Sequence, residues 1–576
     1  MIEIDHVEYV HATGVPALRG VHVTLEPGRW TALIGPNGSG KTTLARCLNG
    51  LLVPTAGAVR VDGVTVDDTT LQHIRSRVAM VFQNPDDQVV APTVETDIVF
   101  GLENQGVDPL QMRSRVDEIL STFHLEAHRN HPPHLLSGGE RQRLAVAAAV
   151  AVRPNYLILD EPTALLDPRS RADLMDLIER LCRDQGLGVL HITQSPEEAA
   201  RAGRVLVLQD GCLVDDDTPR RVFSRASELA GLGLAVPFTV DVATAAGGGT
   251  AQALHPKELG DWLVEEFEAP ASHCGTVAPA LVRQGVKLET ESLSHIYRVG
   301  VPTPVEALQG VDLTIPPGSI SALVGPSGSG KTTLVQHFNG LLRPSAGQVR
   351  LDGCDIWSDG DGRGARRQVG LVFQFPEDQL FEETVATDVA FGPRNHGCAP
   401  AEATRRAADA LATVGLPVET FGARAPLSLS GGERRRAAIA GVLAISPAVV
   451  VLDEPTAGLD PANEQVIAHL LARLATDGCS VVLVSHDMDR VAELASQVTV
   501  MDRGRVRWHG ATRQVLETAC EEQEDGRPAV EPPAALRLSL DLRQRGWQVP
   551  SLLTRTEACH FVSRLRRRHP NSAQRE

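Results

Sequence analysis

The chain has 576 residues, 42% hydrophobic and 22% charged, with a formal net charge of −17. That length exceeds what one hydrophobic core supports and implies roughly two to four domains. The acidic balance excludes a nucleic-acid backbone as the main partner, and no run, including the apolar residues 144–152, reaches the roughly 18 residues of a membrane span.

In chain order, the acidic start Met1-Ile2-Glu3 lacks the apolar core of a signal peptide. A β-rich segment follows, ending in an apolar run over residues 30–34. Next comes Gly35-Pro36-Asn37-Gly38-Ser39-Gly40-Lys41-Thr42, followed by Thr43 and a helix predicted over 42–48. This is the G-x-x-x-x-G-K-[ST] pattern in its strand–loop–helix setting. Gln83 follows a short apolar run, and 108–123 reads as helix. Leu136-Ser137-Gly138-Gly139-Glu140 precedes a buried strand over 156–159 that ends in Asp160-Glu161-Pro162-Thr163. Residues 192–195 read Ile-Thr-Gln194-Ser.

A connection of small residues (243–250) and Ala and Pro (269–280) predicts a flexible linker with one helix near 256–267. The landmarks then recur in the same order. Apolar 320–324 leads into Gly325-Pro326-Ser327-Gly328-Ser329-Gly330-Lys331-Thr332, then Thr333. Gln374, a predicted helix over 401–414, Leu429-Ser430-Gly431-Gly432-Glu433, and a strand over 449–452 ending in Asp453-Glu454-Pro455-Thr456 follow. This is one duplicated domain, not a solenoid. The expected division is 1–234, a linker 235–287, 288–518, and an extension 519–576 whose helix-prone part is 534–545. The basic run 564–568 reads as a solvated tail. Nine dispersed cysteines without metal-ligand spacing fit a reducing compartment rather than a disulfide or zinc framework.

Each glycine loop suits nucleoside triphosphate: backbone N–H groups and a helix N-terminus face the phosphates. The chain has only four lysines, and two stand in these loops. Thr42 and Thr332 offer hydroxyls to Mg²⁺. Adjacent carboxylates at a buried strand end are costly unless a cation or proton meets them. Strand alternation makes them diverge, so Asp160 or Asp453 suits magnesium and Glu161 or Glu454 suits the attacking water. Both lines converge on an α/β fold with ATP and Mg²⁺ at the carboxyl ends of its strands.

The ordered set of glycine loop, Gln83 or Gln374, S-G-G-E, D-E-P-T and Leu-Asp resembles the ATP-binding-cassette (ABC) ATPase family, over about four-fifths of the chain. The resemblance implies two P-loop NTPase domains, each with a RecA-like core, an antiparallel β subdomain and a helical subdomain. It implies head-to-tail pairing within one chain. Ser430 and Gly432 would complete the site of Lys41, Gln83, Asp160 and Glu161; Ser137 and Gly139 would complete that of Lys331, Gln374, Asp453 and Glu454. Gln83 and Gln374 would also reach the metal, and Tyr9 and Tyr297 match the family's adenine-stacking aromatics. His486, in Val484-Ser485-His486-Asp487, matches the family's switch histidine. Gln194 stands there in the first copy, and an amide cannot take up a proton. The second site is therefore expected to hydrolyse faster. His191, three residues before Gln194, is expected to point elsewhere.

Around Gln83 (Asn84-Pro85-Asp86-Asp87-Gln88), around Gln374 (Phe375-Pro376-Glu377-Asp378-Gln379), and in Asp97-Ile98-Val99-Phe100-Gly101 and Asp388-Val389-Ala390-Phe391-Gly392, the chain is similar to the paired ATPases of energy-coupling-factor (ECF) importers. Residues 232–238 and 536–550 are similar to those ATPases' extensions. That resemblance implies a membrane coupling subunit and a small substrate-binding membrane subunit as partners, and a peripheral place on the cytoplasmic face of the cell membrane. A vitamin, thiamine precursor, cobalt or nickel would be the cargo, and no nucleic acid a partner. Asp86, Asp87, Glu377 and Asp378 are candidates to receive a partner's arginines. A ribosome-acting tandem ABC protein is the alternative. It is disfavoured by Ala164-Leu165 and Ala457-Gly458, by a linker poor in basic residues, and by the acidity. A sugar-importer tandem would carry one degenerate loop, and a DNA-repair ABC protein would need zinc-binding cysteine pairs.

Overall fold

The computed structural model describes residues 1–568 apart from 13, 165, 250–251, 271–285, 298–303, 359, 375–378 and 525–526. Leu165, Phe375, Glu377, Asp378 and most of the Ala/Pro-rich linker therefore lie outside the described residues. The chain divides into two compact units, Met1–Leu263 and Val264–Glu576, which repeat one architecture.

Each unit is built on a six-stranded mixed sheet. In unit one its order is Cys212–Asp217, Arg204–Gln209, Trp30–Ile34, Gly188–Ile192, Tyr156–Asp160, Val78–Val81. All neighbours are parallel except the Cys212–Asp217 edge. In unit two it is Val369–Val372, Val449–Asp453, Ser480–Val484, Ile320–Val324, Gln497–Asp502, Arg505–Ala511, again with one antiparallel edge. The strands beside the glycine loop are buried along their whole length, because helices cover one face and a second sheet the other. That second sheet is antiparallel: Pro16–Leu25, Ile2–Val10, Ala56–Val61, Val64–Thr65 in unit one, and Val305–Ile315, Leu288–Tyr297, Ala346–Leu351, Cys354–Asp355 in unit two. Its strands alternate buried and accessible residues, as a half-covered sheet requires.

A helical layer completes each unit: Val94–Asn104, Pro109–Thr122 and Gly138–Ala151, then Val385–Asn395, Pro400–Thr413 and Gly431–Leu443. The predicted helices over 108–123 and 401–414 are thus present as Pro109–Thr122, trimmed by one residue at each end, and Pro400–Thr413, shifted by one residue, each with proline at its first position.

The same two-helix extension follows each core: Phe238–Ala245 with Pro256–Glu266, and Ala534–Gln544 with Arg555–Val562. Glu258 accepts from Arg220 and from Leu254 N–H at 3.0 and 2.9 Å. Glu557 accepts from Arg513 and from Leu553 N–H at 2.7 and 2.8 Å. Residues 243–245, expected as flexible linker, are helical: Phe238, Val240, Val242 and Ala243 are buried, and Val240 packs into the unit-one core. The basic run is not merely solvated. Arg568 donates from Nε to Phe267 O at 2.9 Å, and the Arg567 guanidinium lies 5.9 Å from the Phe267 ring centroid.

Matched positions carry different residues. Cys47 in the helix Lys41–Leu48 is replaced by His337 in Lys331–Phe338, and both are fully buried. His337 lies 2.7 Å from Thr333 O through Nδ1 and 3.2 Å from His295 Nδ1 through Nε2. Burial above all pushes its pKa down from 6.5 to about 4, against the Thr333 contact and helped by His295. Between those values the unfolded chain binds a proton that the folded chain does not. Unit two should therefore lose stability as pH falls from 6.5 to about 4, by up to about 1.4 kcal/mol per pH unit. Thermal unfolding across that window should show the slope, and His337→Cys should flatten it.

Candidate functional site

In each unit the buried central strand, Trp30–Ile34 or Ile320–Val324, releases the chain into the glycine loop at the carboxyl edge of the sheet. Pro36-Asn37-Gly38 and Pro326-Ser327-Gly328 make the turn. Gly40 (φ 101°) and Gly330 (φ 99°) then start the helices from left-handed backbone. A Cβ on Gly40 would lie 2.4 Å from Ala17 O, and one on Gly330 2.6 Å from Ala307 O, so only glycine fits. Lys41 Nζ turns back onto Gly35 O and Pro36 O at 2.7 and 2.9 Å, and Lys331 Nζ onto Gly325 O and Pro326 O at 2.8 and 2.9 Å. Ser39 and Ser329 are buried, and among the described residues their hydroxyls have no hydrogen-bond partner.

The acidic strand ends meet these loops. Thr42 Oγ1 donates to Asp160 Oδ1 at 3.2 Å, and Thr332 Oγ1 to Asp453 Oδ2 at 3.0 Å. Burial, the largest cause, raises the pKa of both aspartates and of Glu161. Burial, then the neighbouring Asp453, lifts Glu454 to about 8. The divergence of the two acids has a different origin from strand alternation. Glu161 and Glu454 stand just beyond their strands in left-handed backbone, φ 48° and 50°. Each donates its N–H across the sheet, to Ile192 O and Val484 O, both at 3.0 Å. Such backbone costs a non-glycine residue about 1–2 kcal/mol.

The surroundings of the two glutamates differ. Gln83 Nε2 donates to Glu161 Oε2 at 2.9 Å, and Gln194 Nε2 to Glu161 Oε1 and Asn37 Oδ1, both at 3.0 Å. Both carboxylate oxygens of Glu161 are thus held by amides. In unit two His486 Nε2 lies 3.5 Å from Glu454 Oε1, which accepts no hydrogen bond among the described residues. Gln374 is tied through its backbone: buried Arg435 donates to Gln374 O at 3.1 Å and to Glu454 O at 2.6 Å. Gln142 is the matching residue in unit one. His191 is fully buried, 3.4 Å from Glu198 Oε2, and burial lowers its pKa.

Ser137 and Ser430 cap the helices Gly138–Ala151 and Gly431–Leu443. Their N–H groups donate to Glu140 and Glu433, both at 2.8 Å, and the glutamate N–H groups donate back to the serine hydroxyls at 3.3 Å. The glutamate of S-G-G-E is therefore the far half of a capping box. Gly139 and Gly432 are buried in the first turn.

Tyr9 and Tyr297 do not occupy matched places. Strand pairing sets Tyr9 opposite Leu18 and His295 opposite Leu308, so Tyr9 matches His295 and His11 matches Tyr297. Each pair packs edge-on, at 5.2 Å for Tyr9–His11 and 4.5 Å for His295–Tyr297. Tyr297 Oη also lies 3.3 Å from Thr333 Oγ1. The pattern Tyr-Val-His against His-Ile-Tyr carried this signal in the sequence.

Asp97 and Asp388 are buried clamps that sequence reasoning quoted without a role. Asp97 Oδ1 accepts Val90 and Ala91 N–H at 2.9 and 3.0 Å; Asp388 Oδ2 accepts Phe381 and Glu382 N–H at 2.8 and 2.9 Å. The clamped segments expose apolar side chains in matched places, Val90 (63%) and Phe100 (49%), Phe381 (63%) and Phe391 (39%). Asp86, expected to await a partner's arginine, lies 3.5 Å from Arg141 of its own chain.

The donor set fits ATP and Mg²⁺. Backbone N–H groups and a buried ammonium suit phosphate. A hydroxyl and a buried carboxylate in contact suit a hard cation, and its charge offsets the burial that raises the aspartate pKa. Thr42, Asp160 and Gln83 would hold one Mg²⁺, and Thr332, Asp453 and Gln374 the other. Removing a clamp should loosen the glutamine segment: Asp97→Ala loses two charge-assisted bonds of about 1.5–3 kcal/mol each. Hydrogen exchange at the Val90 and Ala91 amides should then rise more than tenfold; unchanged exchange rejects the clamp.

Residues 18–164 and 308–457 match the family described as ABC transporter. An ABC transporter ATP-binding protein of Caldanaerobacter subterraneus subsp. tengcongensis is 32% identical over 565 residues, covering 94% of this chain and 96% of that protein. One of Methanosarcina mazei is 34% identical over 584 residues, covering 98% and 97%. The energy-coupling factor transporter ATP-binding protein EcfA2 of Symbiobacterium thermophilum is 50% identical over 271 residues, covering 46% of this chain and 92% of its own length. With two intact glycine loops, two acidic strand ends and two capped S-G-G-E helices on duplicated α/β cores, the chain belongs to the ABC transporter family, as a tandem ATPase that uses ATP with Mg²⁺.

Proposed function

We propose that this chain is the fused ATPase pair of an ECF-type importer, driving uptake of a vitamin, a thiamine precursor or cobalt/nickel. It would work peripherally, at the cytoplasmic face of the cell membrane, beneath a membrane coupling subunit and a small substrate-binding membrane subunit. The observation that carries the reading is the 50% identity with EcfA2 over almost the whole of that protein. The matched apolar steps at Val90 and Phe100, Phe381 and Phe391 support it, as footholds for a partner's helix. Among the described residues no helix is long and apolar enough to cross a membrane, so on this reading other chains supply the passage.

On this reading, which rests on the family resemblance, each composite site would take its two halves from opposite units. Lys41 or Lys331 and the loop N–H groups bind and orient the phosphates. Mg²⁺, held by Thr42, Asp160 and Gln83 or by Thr332, Asp453 and Gln374, would supply charge neutralisation for the phosphates. Glu161 or Glu454 orients water and holds its proton. Ser430 and Gly432, or Ser137 and Gly139, close the opposite side with hydroxyl and N–H donors at a helix N-terminus. Linking both halves in one chain raises their effective concentration for this pairing.

The sites are unequal on this reading. Two amides occupy both oxygens of Glu161, whereas among the described residues Glu454 keeps one oxygen without a hydrogen bond beside His486. Glu454→Gln should therefore abolish most ATP turnover of the assembled complex, by about 10²-fold or more. Glu161→Gln should cost several-fold less; equal losses reject the asymmetry. For the transport role, small membrane proteins should co-purify with the chain in detergent, and Phe391→Asp should weaken that association while the isolated chain keeps its ATPase rate. Recovery with ribosomes and no membrane protein would overturn the importer reading.

A further inference from the structure

Away from the nucleotide machinery, the antiparallel sheet of unit one gathers two imidazoles and a carboxylate around one point. Ile4 pairs with Val23 and Val7 with Val21, so Asp5 and His6 together oppose the single residue His22. This is a β-bulge, a device that re-aims side chains, and His6 takes φ 48° in it. The neighbouring strand locks the bulge. A Cβ on Gly57 would lie 2.2 Å from His6 O and 2.5 Å from Asp5 O, so only glycine admits this backbone.

The side chains converge. His6 Nδ1 lies 2.9 Å and His22 Nδ1 3.4 Å from the same atom, Asp5 Oδ1. The ligand atoms of all three residues fall within 4.8 Å of one another. Donors bound at 2.0–2.2 Å in a tetrahedron stand about 3.3–3.5 Å apart. The 3.4 Å separation from His22 matches that edge length, and the 2.9 Å separation from His6 falls short of it, so the exposed His6 ring must rotate outward to ligate. Arg60 Nη1 sits 3.9 Å from the other oxygen, Asp5 Oδ2. Its charge lies beside the oxygen that the imidazoles do not approach, as an outer-shell partner's would.

Unit two is the internal control. Its bulge has the same pairing, Thr290 with Leu313 and Leu293 with Val311, the same left-handed residue, Ser292 at φ 45°, and the same locking glycine, Gly347. There Glu291, Ser292 and Asp312 replace Asp5, His6 and His22, and Asp312 Oδ1 accepts the Ser292 N–H at 2.7 Å. The backbone needs no imidazole to form, so the fold does not require the two histidines of unit one.

We propose that Asp5, His6 and His22 form a surface site for a first-row transition-metal dication of the zinc or cobalt type. Two imidazole nitrogens and one carboxylate oxygen are the donor set such ions favour, and Mg²⁺, which prefers oxygen alone, is excluded by it. Each ring ligates as the neutral tautomer with its proton on Nε2. The Nδ1–H now directed at Asp5 moves there or to solvent, and the fourth position stays open to water.

The test is to titrate Co²⁺ into the metal-stripped, nucleotide-free full chain and follow visible absorption. One equivalent should saturate a tetrahedral band. The double variant His6→Ser, His22→Asp carries the unit-two residues on the same bulge and retains all nine cysteines; it should lose that equivalent. Should it fail to fold by circular dichroism, His22→Gln alone decides and must weaken Co²⁺ binding by about tenfold or more. Absence of a tetrahedral band in the unaltered chain, or an unchanged band and stoichiometry in the variant, overturns the proposal.

Discussion

The arrangement of each unit depends on one electrostatic constraint: two carboxylates stand at the buried end of a parallel strand. Water is excluded there, so the negative charges must share a proton, a cation or fixed dipoles. Everything near them answers that need. The threonine after the loop lysine meets the aspartate, the lysine lies close, and the glutamate is swung away by left-handed backbone. The cost of that backbone is met by an N–H bond to the next strand, which also fixes the distance between acid and switch residue. Nucleotide and magnesium complete a balance that the protein alone leaves open.

The two units solve the same problem with different side chains on a nearly shared backbone. Unit one surrounds its glutamate with amides; unit two offers an imidazole and an arginine that binds backbone carbonyls. The same divergence runs through the outer parts. Cysteine faces histidine in the loop helix, histidine and tyrosine exchange places in the first strand, and histidines face serine and aspartate in the bulge. Duplication has held the scaffold while each copy acquired its own polar chemistry, which is where functional differences between the halves should be sought.

Much of this was legible in the sequence, and the reasons are local. The central strands are apolar throughout because both faces are covered, and the glycine loops, acidic strand ends and S-x-x-E capping boxes are short patterns whose geometry is set within a few residues. Long-range features escaped. No local pattern ties Asp97 to the N–H groups of Val90 and Ala91, or Arg435 to two carbonyls on separate segments. Pairing Tyr9 with Tyr297 failed because residue type was matched without strand register, and the connection after this strand is four residues longer in unit two. Residues 243–245 looked like linker by composition, yet they end a helix whose residues Phe238, Val240, Val242 and Ala243 are buried.

The strand contact between Phe267 and Arg567 has a consequence for how the chain is partitioned. Residues just past the helix Pro256–Glu266 pair with the far end of the polypeptide, on the other side of residues 271–285 in sequence. A break introduced in that stretch would leave this small β-bridge to be made between separate fragments. The composition marks a convenient seam there, but the second compact unit, Val264–Glu576, already begins before it, and the bridge lies within that unit.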